Sequence, residues 1–253
     1  MQLIYGRLLA VLMALPARAE VNIQSVESPG GLTAWLVEDH SIPFVALELR
    51  FRGGASLDRP GKRGSVNLMT ALLEEGAGDM DSRAFSKASE ALATSFGFDA
   101  SRDDVSVSAR FLTENRAPSV ALLRAALTEP LFDEASIERV RGRVLSIIQS
   151  DAKDPDDIAS ETFDRIAYGD HPYASSLNGT LDSVAALTRD DLVAARKDVM
   201  ARDRVYIGAV GDITPEELGA LVDELLGDLP ETGAPMPPRA DVTIPGGVTV
   251  VDF

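Results

Sequence analysis

Cysteine is absent from this 253-residue chain, which excludes disulfides and every thiolate metal centre. Histidine is nearly absent. Only His40 and His171 occur, distant in sequence and without a metal-ligand motif around either, so each reads as a turn residue: His40 solvated, His171 packed against Tyr173. Basic residues are scarce beside acidic ones, 24 Lys and Arg against 40 Asp and Glu, for a net charge of −16. A surface of that sign repels nucleic acid and anionic lipid, so neither is an expected partner. No Gly-x-x-x-x-Gly-Lys phosphate loop and no nucleophile elbow is present, which removes the commonest signatures of nucleotide and serine-hydrolase chemistry. The acidic run Asp151, Asp154, Asp156 and Asp157 lacks the central Gly and terminal Glu of a calcium loop, and it suits the start of a helix instead.

Long apolar runs are also missing, with one short exception. Arg7, an apolar stretch over Leu8–Ala17 and Ala17-Arg18-Ala19 form the pattern of a signal peptide over residues 1–19. Its apolar part, about ten residues, is too short to span a bilayer. The expectation is an exported protein, periplasmic or extracellular, with no membrane attachment after cleavage. Loss of Arg7 and Arg18 takes the net charge from −16 to −18.

What remains is 45% hydrophobic, enough for a sizeable core. Alternating patterns predict strands near 22–27, 33–38, 44–52, 97–101, 104–112 and 204–211, with Gly30-Gly31 as a hairpin turn. Helical periodicity covers about 64–76, 81–95, 117–128, 134–150, 156–168, 189–201 and 214–227. The grouping of strands ahead of a helical block favours an α+β fold: an antiparallel sheet of about five to six strands covered by helices. Residues 20–229 read as one domain. From 230 to 253 a Pro-rich linker leads into Gly246-Gly247-Val248-Thr249-Val250-Val251, which reads as the beginning of a further strand.

The segment Gly64–Gly76 carries the strongest functional signal. Val66, Met69, Leu72 and Leu73 fall on one helical face, and Asn67, Thr70, Ala71 and Glu74 on the other. Downstream, in order, come Asp170-His171-Pro172-Tyr173, Asn178-Gly179-Thr180, Leu187-Thr188-Arg189-Asp190-Asp191-Leu192, a strand ending in Gly211-Asp212, and Leu226-Gly227-Asp228-Leu229-Pro230. This succession resembles the pitrilysin/insulinase family of zinc metallopeptidases, the mitochondrial processing peptidases among them. In that family the helix bears His-x-x-Glu-His, an inverted zincin arrangement.

The resemblance places the two histidines at Asn67 and Ala71, the catalytic glutamate at Thr70 and the third zinc ligand at Ile147. An amide, a methyl, a hydroxyl and an aliphatic chain supply neither a zinc ligand set nor a general base. The resemblance therefore implies a degenerate member that has no catalytic residue, holds no metal and needs no cofactor of its own, with zinc in a partner subunit. It implies a half-domain of the processing-peptidase type, expected to pair with an active zinc peptidase as a hetero-oligomer, or with itself as a homodimer. It also implies that peptide is bound along an edge strand, here at Phe98, Asp99, Ala100 and Ser101. Two alternatives stay open: a zinc endopeptidase with a non-standard site, and a peptide-binding or scaffold protein without a peptidase partner. Further residues of a second half-domain would follow Phe253.

Overall fold

The computed structural model describes residues 21–244 and 246–251, so the signal-peptide reading lies outside the described residues. The alternation in Phe44–Arg52 makes the longest central strand, β3, with Val45, Leu47, Leu49 and Phe51 all buried. The strand β7, Asp104–Leu112, repeats this with Val105, Val107, Ala109 and Phe111. Both pack these side chains under the helices, where each fully buried large side chain contributes about 1.5–3 kcal/mol.

The remaining strands are β1 (Gln24–Glu27), β2 (Thr33–Glu38), the short hairpin β4 (Gly76–Ala77) and β5 (Met80–Asp81), β6 (Ser95–Ala100) and β8 (Val205–Gly211). β1 and β2 pair antiparallel across the Gly30-Gly31 turn, with Gly31 at φ 83°. The main sheet has the order β1-β2-β8-β3-β7-β6. An antiparallel sheet of about five to six strands was expected; the sheet has six, and one pair is parallel: β8 inserts beside β2 in the same direction and runs antiparallel to β3. A strand that returns after a long helical block reaches the sheet centre by a crossover, which allows a parallel neighbour. The β4–β5 hairpin, only two residues a side, leaves too little periodicity to be read from sequence.

The helices are α1 (Ser65–Ala71), α2 (Ser82–Ala91), α3 (Arg116–Thr128), α4 (Glu134–Asp151), α5 (Pro155–Tyr168), α6 (Leu181–Ala185), α7 (Arg189–Val199) and α8 (Pro215–Leu226). α1 stops well short of Gly76. Leu72 and Leu73 are buried beyond its end, so apolar spacing continues after the helical hydrogen bonds cease. Asp154 caps α5 by accepting from the N–H groups of Asp156 and Asp157, which accounts for that acidic run. Helices cover one face of the sheet. The other face exposes a stacked pair, Trp35 and Tyr206, with ring centroids 6.1 Å apart. Among the described residues beyond 231 no strand or helix is assigned, including at 246–251. The segment is nonetheless tied down: the Arg204 guanidinium donates to the Ala234 carbonyl at 2.7 Å and Thr243 N–H to the Ala167 carbonyl at 3.0 Å. Among the described residues no helix is long and apolar enough to cross a membrane.

Candidate functional site

The sequence between β3 and α1 holds α1 in place through one buried carboxylate. Asp58 accepts hydrogen bonds from Gly64 N–H (2.8 Å), Val66 N–H (2.9 Å) and the Ser65 hydroxyl (2.7 Å). It sits at the positive end of the helix, the favourable end for a negative charge. Burial raises its pKa above the ordinary carboxylate value, against the lowering effect of these three donors. Gly64 has φ 86°, and a Cβ there would lie 2.6 Å from the Asn178 carbonyl, so only glycine fits this cap.

α1 packs against α4, α7 and β6. Its motif positions are directed to internal structure. The half-buried Asn67 donates through Nδ2 to Asn178 Oδ1 at 3.0 Å, and Asn178 reaches Asp151 Oδ2 at 3.4 Å. Thr70 does not share an outward polar face as its spacing suggested. It is 2% exposed, and its hydroxyl donates to the Val66 carbonyl at 2.8 Å within the same helix. Ala71 is half-buried against the core. Ile147 lies on α4 with its side chain exposed. These residues do not fit zinc: the set offers one side-chain amide, which donates to Asn178, and one hydroxyl turned inward, with no imidazole, carboxylate or thiolate among them. Among the described residues no group of three or more His, Asp or Glu side chains is arranged to hold a metal ion.

β6 forms one edge of the sheet and packs against α1. The ladder fixes which of its backbone groups are free. Thr113 N–H donates to the Pro43 carbonyl (3.0 Å) at one end of β3–β7, and Ser101 N–H donates to the Asp104 carbonyl (2.8 Å) at the turn between β6 and β7. Opposed residues in an antiparallel ladder alternate between bonded and non-bonded pairs. Stepping by two along the register, the backbones of Ser95, Gly97 and Asp99 bond to β7, while those of Phe96, Phe98 and Ala100 point outward from the edge. The four residues expected to contact peptide thus divide. Phe98 and Ala100 present free backbone groups; Asp99 does not. Ser101 lies past the strand, where its carbonyl accepts from Ala55 N–H at 2.9 Å and its hydroxyl accepts from the N–H groups of Asp103 and Asp104.

Sequence reasoning gave no role to Glu74, which follows α1 and lines a cavity of about 330 Å³ beside Phe96. Burial first, then the negative charges of Glu75 and Asp99, raise its carboxyl pKa, opposed by Arg143. Its lone signal was its place on the polar face of the 64–76 pattern. His40, expected to be solvated, is exposed and in addition bridges two carboxylates: Nδ1 lies 2.5 Å from Asp212 and Nε2 2.9 Å from Glu38. The two ring nitrogens face opposite partners, so the trio is an ion-pair clamp. His171 packs edge-on against Tyr173, ring centroids 4.5 Å apart.

Comparison with known proteins places this geometry. The family model described as insulinase (peptidase family M16) matches residues 33–181, and that described as the peptidase M16 inactive domain matches residues 186–252. A non-peptidase homolog, YmxG, from Helicobacter pylori is 26% identical over 77% of this chain and 45% of its own length. The beta subunit of the mitochondrial-processing peptidase of Saccharomyces cerevisiae is 22% identical over 83% of this chain and 45% of its own. Among solved structures, a peptidase M16 inactive domain from Pseudomonas fluorescens superposes with a TM-score of 0.79 at 28% identity, covering 89% of this chain and 54% of that one. Pitrilysin shares the fold, with a TM-score of 0.74 at 15% identity over 90% of this chain and 25% of that one. The chain spans about half the length of the curated relatives it matches.

Proposed function

Since this chain belongs to the insulinase family, peptidase family M16, as a non-catalytic, peptidase-like protein, we propose that it acts as the non-catalytic subunit of a peptidase pair. In this reading it associates with an active zinc peptidase, in which the zinc resides, and helps to enclose and bind peptide substrates in an exported setting. The observation that carries the reading is the pairing of an open β6 edge with an α1 whose motif positions, Asn67, Thr70 and Ala71, make internal hydrogen bonds or core contacts. The first feature suits an extended peptide, which gains affinity from backbone hydrogen bonds with little demand on sequence. The second removes the ligands and the base that hydrolysis would require.

The match to a processing-peptidase beta subunit and to a homolog described as a non-peptidase supports a role beside a catalyst. A reading in which the chain holds its own catalytic zinc lacks a ligand set among the described residues. The test is affinity capture of the tagged full-length protein from its own cells, followed by peptide hydrolysis assays on the chain alone and on the captured complex. The expected result is a zinc peptidase in the complex and cleavage only there. Capture of the chain alone, with no peptidase at stoichiometric level, contradicts the pairing.

A further inference from the structure

We propose that the cleft beneath the Pro-rich segment 236–242 binds a small carboxylate with a flat apolar body. The segment crosses the corner where β3, the β6–β7 turn and the end of α5 meet, and it encloses about 530 Å³. That volume lies within the range of small-molecule sites. The cleft shares no lining residue with the cavity beside Glu74, so it stands independently of the peptide-binding reading.

Three features carry the inference. The first is that the cleft is preformed. Pro235, Pro237 and Pro238 stiffen the segment, because each proline ring fixes its own φ at about −65°. Backbone bonds pin the chain on either side: Ala234 N–H donates to the Asp198 carbonyl at 2.9 Å, and Thr243 N–H to the Ala167 carbonyl at 3.0 Å. Between these points His171 holds Pro238. Its Nδ1 accepts from the Tyr173 N–H at 3.2 Å, so the ring proton sits on Nε2, which donates to the Pro238 carbonyl at 3.0 Å. Walls already ordered in this way cost little further entropy when a ligand enters.

The second feature is the wall that faces the segment. Tyr173 stands edge-on to Tyr168, with centroids 5.5 Å apart and planes at 90°, and edge-on to His171 at 4.5 Å and 77°. All three rings line the cleft and are only half-buried. A flat apolar group gains contact area against them and against Met236 and Pro237 opposite.

The third feature is charge. Arg52 reaches the cleft from β3 and Arg239 from the linker, both exposed at its rim. Among the described residues neither guanidinium lies within salt-bridge distance of a carboxylate, and the Tyr168 hydroxyl has no hydrogen-bond partner. The one carboxylate in the lining, Asp103, accepts from the Tyr173 hydroxyl. Asp104 and Asp164 nearby are paired with Arg50 and Arg102. The lining is therefore positive by one charge, in a chain whose net charge is −16. A guanidinium presents paired N–H donors that match a carboxylate, and the free phenol adds a further donor. Repulsion from Asp103 grows with the charge of the ligand, which favours a carboxylate over a phosphate dianion.

The experiment is isothermal titration calorimetry of the full chain with naphthoate and with naphthamide, which share a shape and differ in charge. Naphthoate is expected to bind with a submillimolar Kd, about fivefold or more tightly than the amide. That preference falls as salt rises from low to physiological ionic strength. Replacing both arginines, Arg52→Gln with Arg239→Gln, is expected to bring the two ligands within about twofold of each other. Thermal unfolding should not change, because both side chains are exposed. Since the ligand pair is compared on the unaltered protein, the inference is tested even where the variant folds poorly. Equal affinity for the two ligands overturns the proposal, and so does binding of neither. A preference for naphthoate that survives both replacements places the charge recognition outside this cleft and overturns it as well.

Discussion

Asn67 directs its amide to Asn178, and Thr70 its hydroxyl to the Val66 carbonyl, so neither side chain is held ready for a ligand. At the residue scale the clearest titrating device lies elsewhere, at His40. Hydrogen bonds that its ring donates to Asp212 and then Glu38 raise its pKa above 6.5 in the folded chain, while His40 and Thr113 lower that of Asp212. Arg116 also faces Asp212, and Glu217 in turn binds Arg116. A histidine with a raised folded pKa contributes stability that is complete below its unfolded pKa and lost as pH rises through the folded value. The carboxylates contribute above their own unfolded pKa and lose it in acid. The clamp is therefore strongest between the carboxylate range and about pH 6.5. Thermal unfolding of the wild type and of His40→Gln should differ most near pH 5.5 and converge by pH 9. A difference that grows in alkali would contradict the clamp. With two histidines in the chain, the assignment by NMR titration is direct.

At the element scale, α1 depends on Asp58 more than on its own length. A helix of seven residues is too short to hold together without tertiary support. Asp58→Ala leaves the Gly64 and Val66 N–H groups and the Ser65 hydroxyl without their acceptor, with an expected loss of about 2–4 kcal/mol in denaturant unfolding. Asp58→Asn keeps the shape and one acceptor oxygen and should lose less. A neutral Asp58→Ala would show that the turn, and not the carboxylate, positions the helix.

The same element shows what a sequence discloses. The helix at Ser65–Ala71 was legible from Val66, Met69 and their spacing. Its end was not, because Leu72 and Leu73 are buried for packing reasons beyond the last helical bond. The strand at 97–101 was legible from its alternation. Which of its residues offer free backbone groups was not, since that depends on the register of β7 against β3 as well as on β6 itself. Glu74 carried no sequence signal as a cavity residue, because α2 and β6, whose residues line the cavity with it, meet the segment after α1 only in the folded chain.

At the scale of the whole molecule, six strands under a helical layer were legible from the order of patterns along the chain. The parallel β2–β8 pair was not, since strand order in a sheet is decided by crossover connections that leave no local mark. The same distinction governs function. The order of short motifs points to a peptidase frame, and the family match over residues 33–181 agrees with it. The side chains within that frame decide whether the frame catalyses. Asn67, Thr70, Ala71 and Ile147 all lack the required chemistry, on two helices that pack together.

The most direct test of a non-catalytic peptidase fold is hydrolysis of a quenched fluorescent peptide by the purified full-length protein with zinc supplied and no partner present. The account predicts no turnover above background, with no change on adding a chelator. Turnover abolished by chelation and restored by stoichiometric zinc would contradict it.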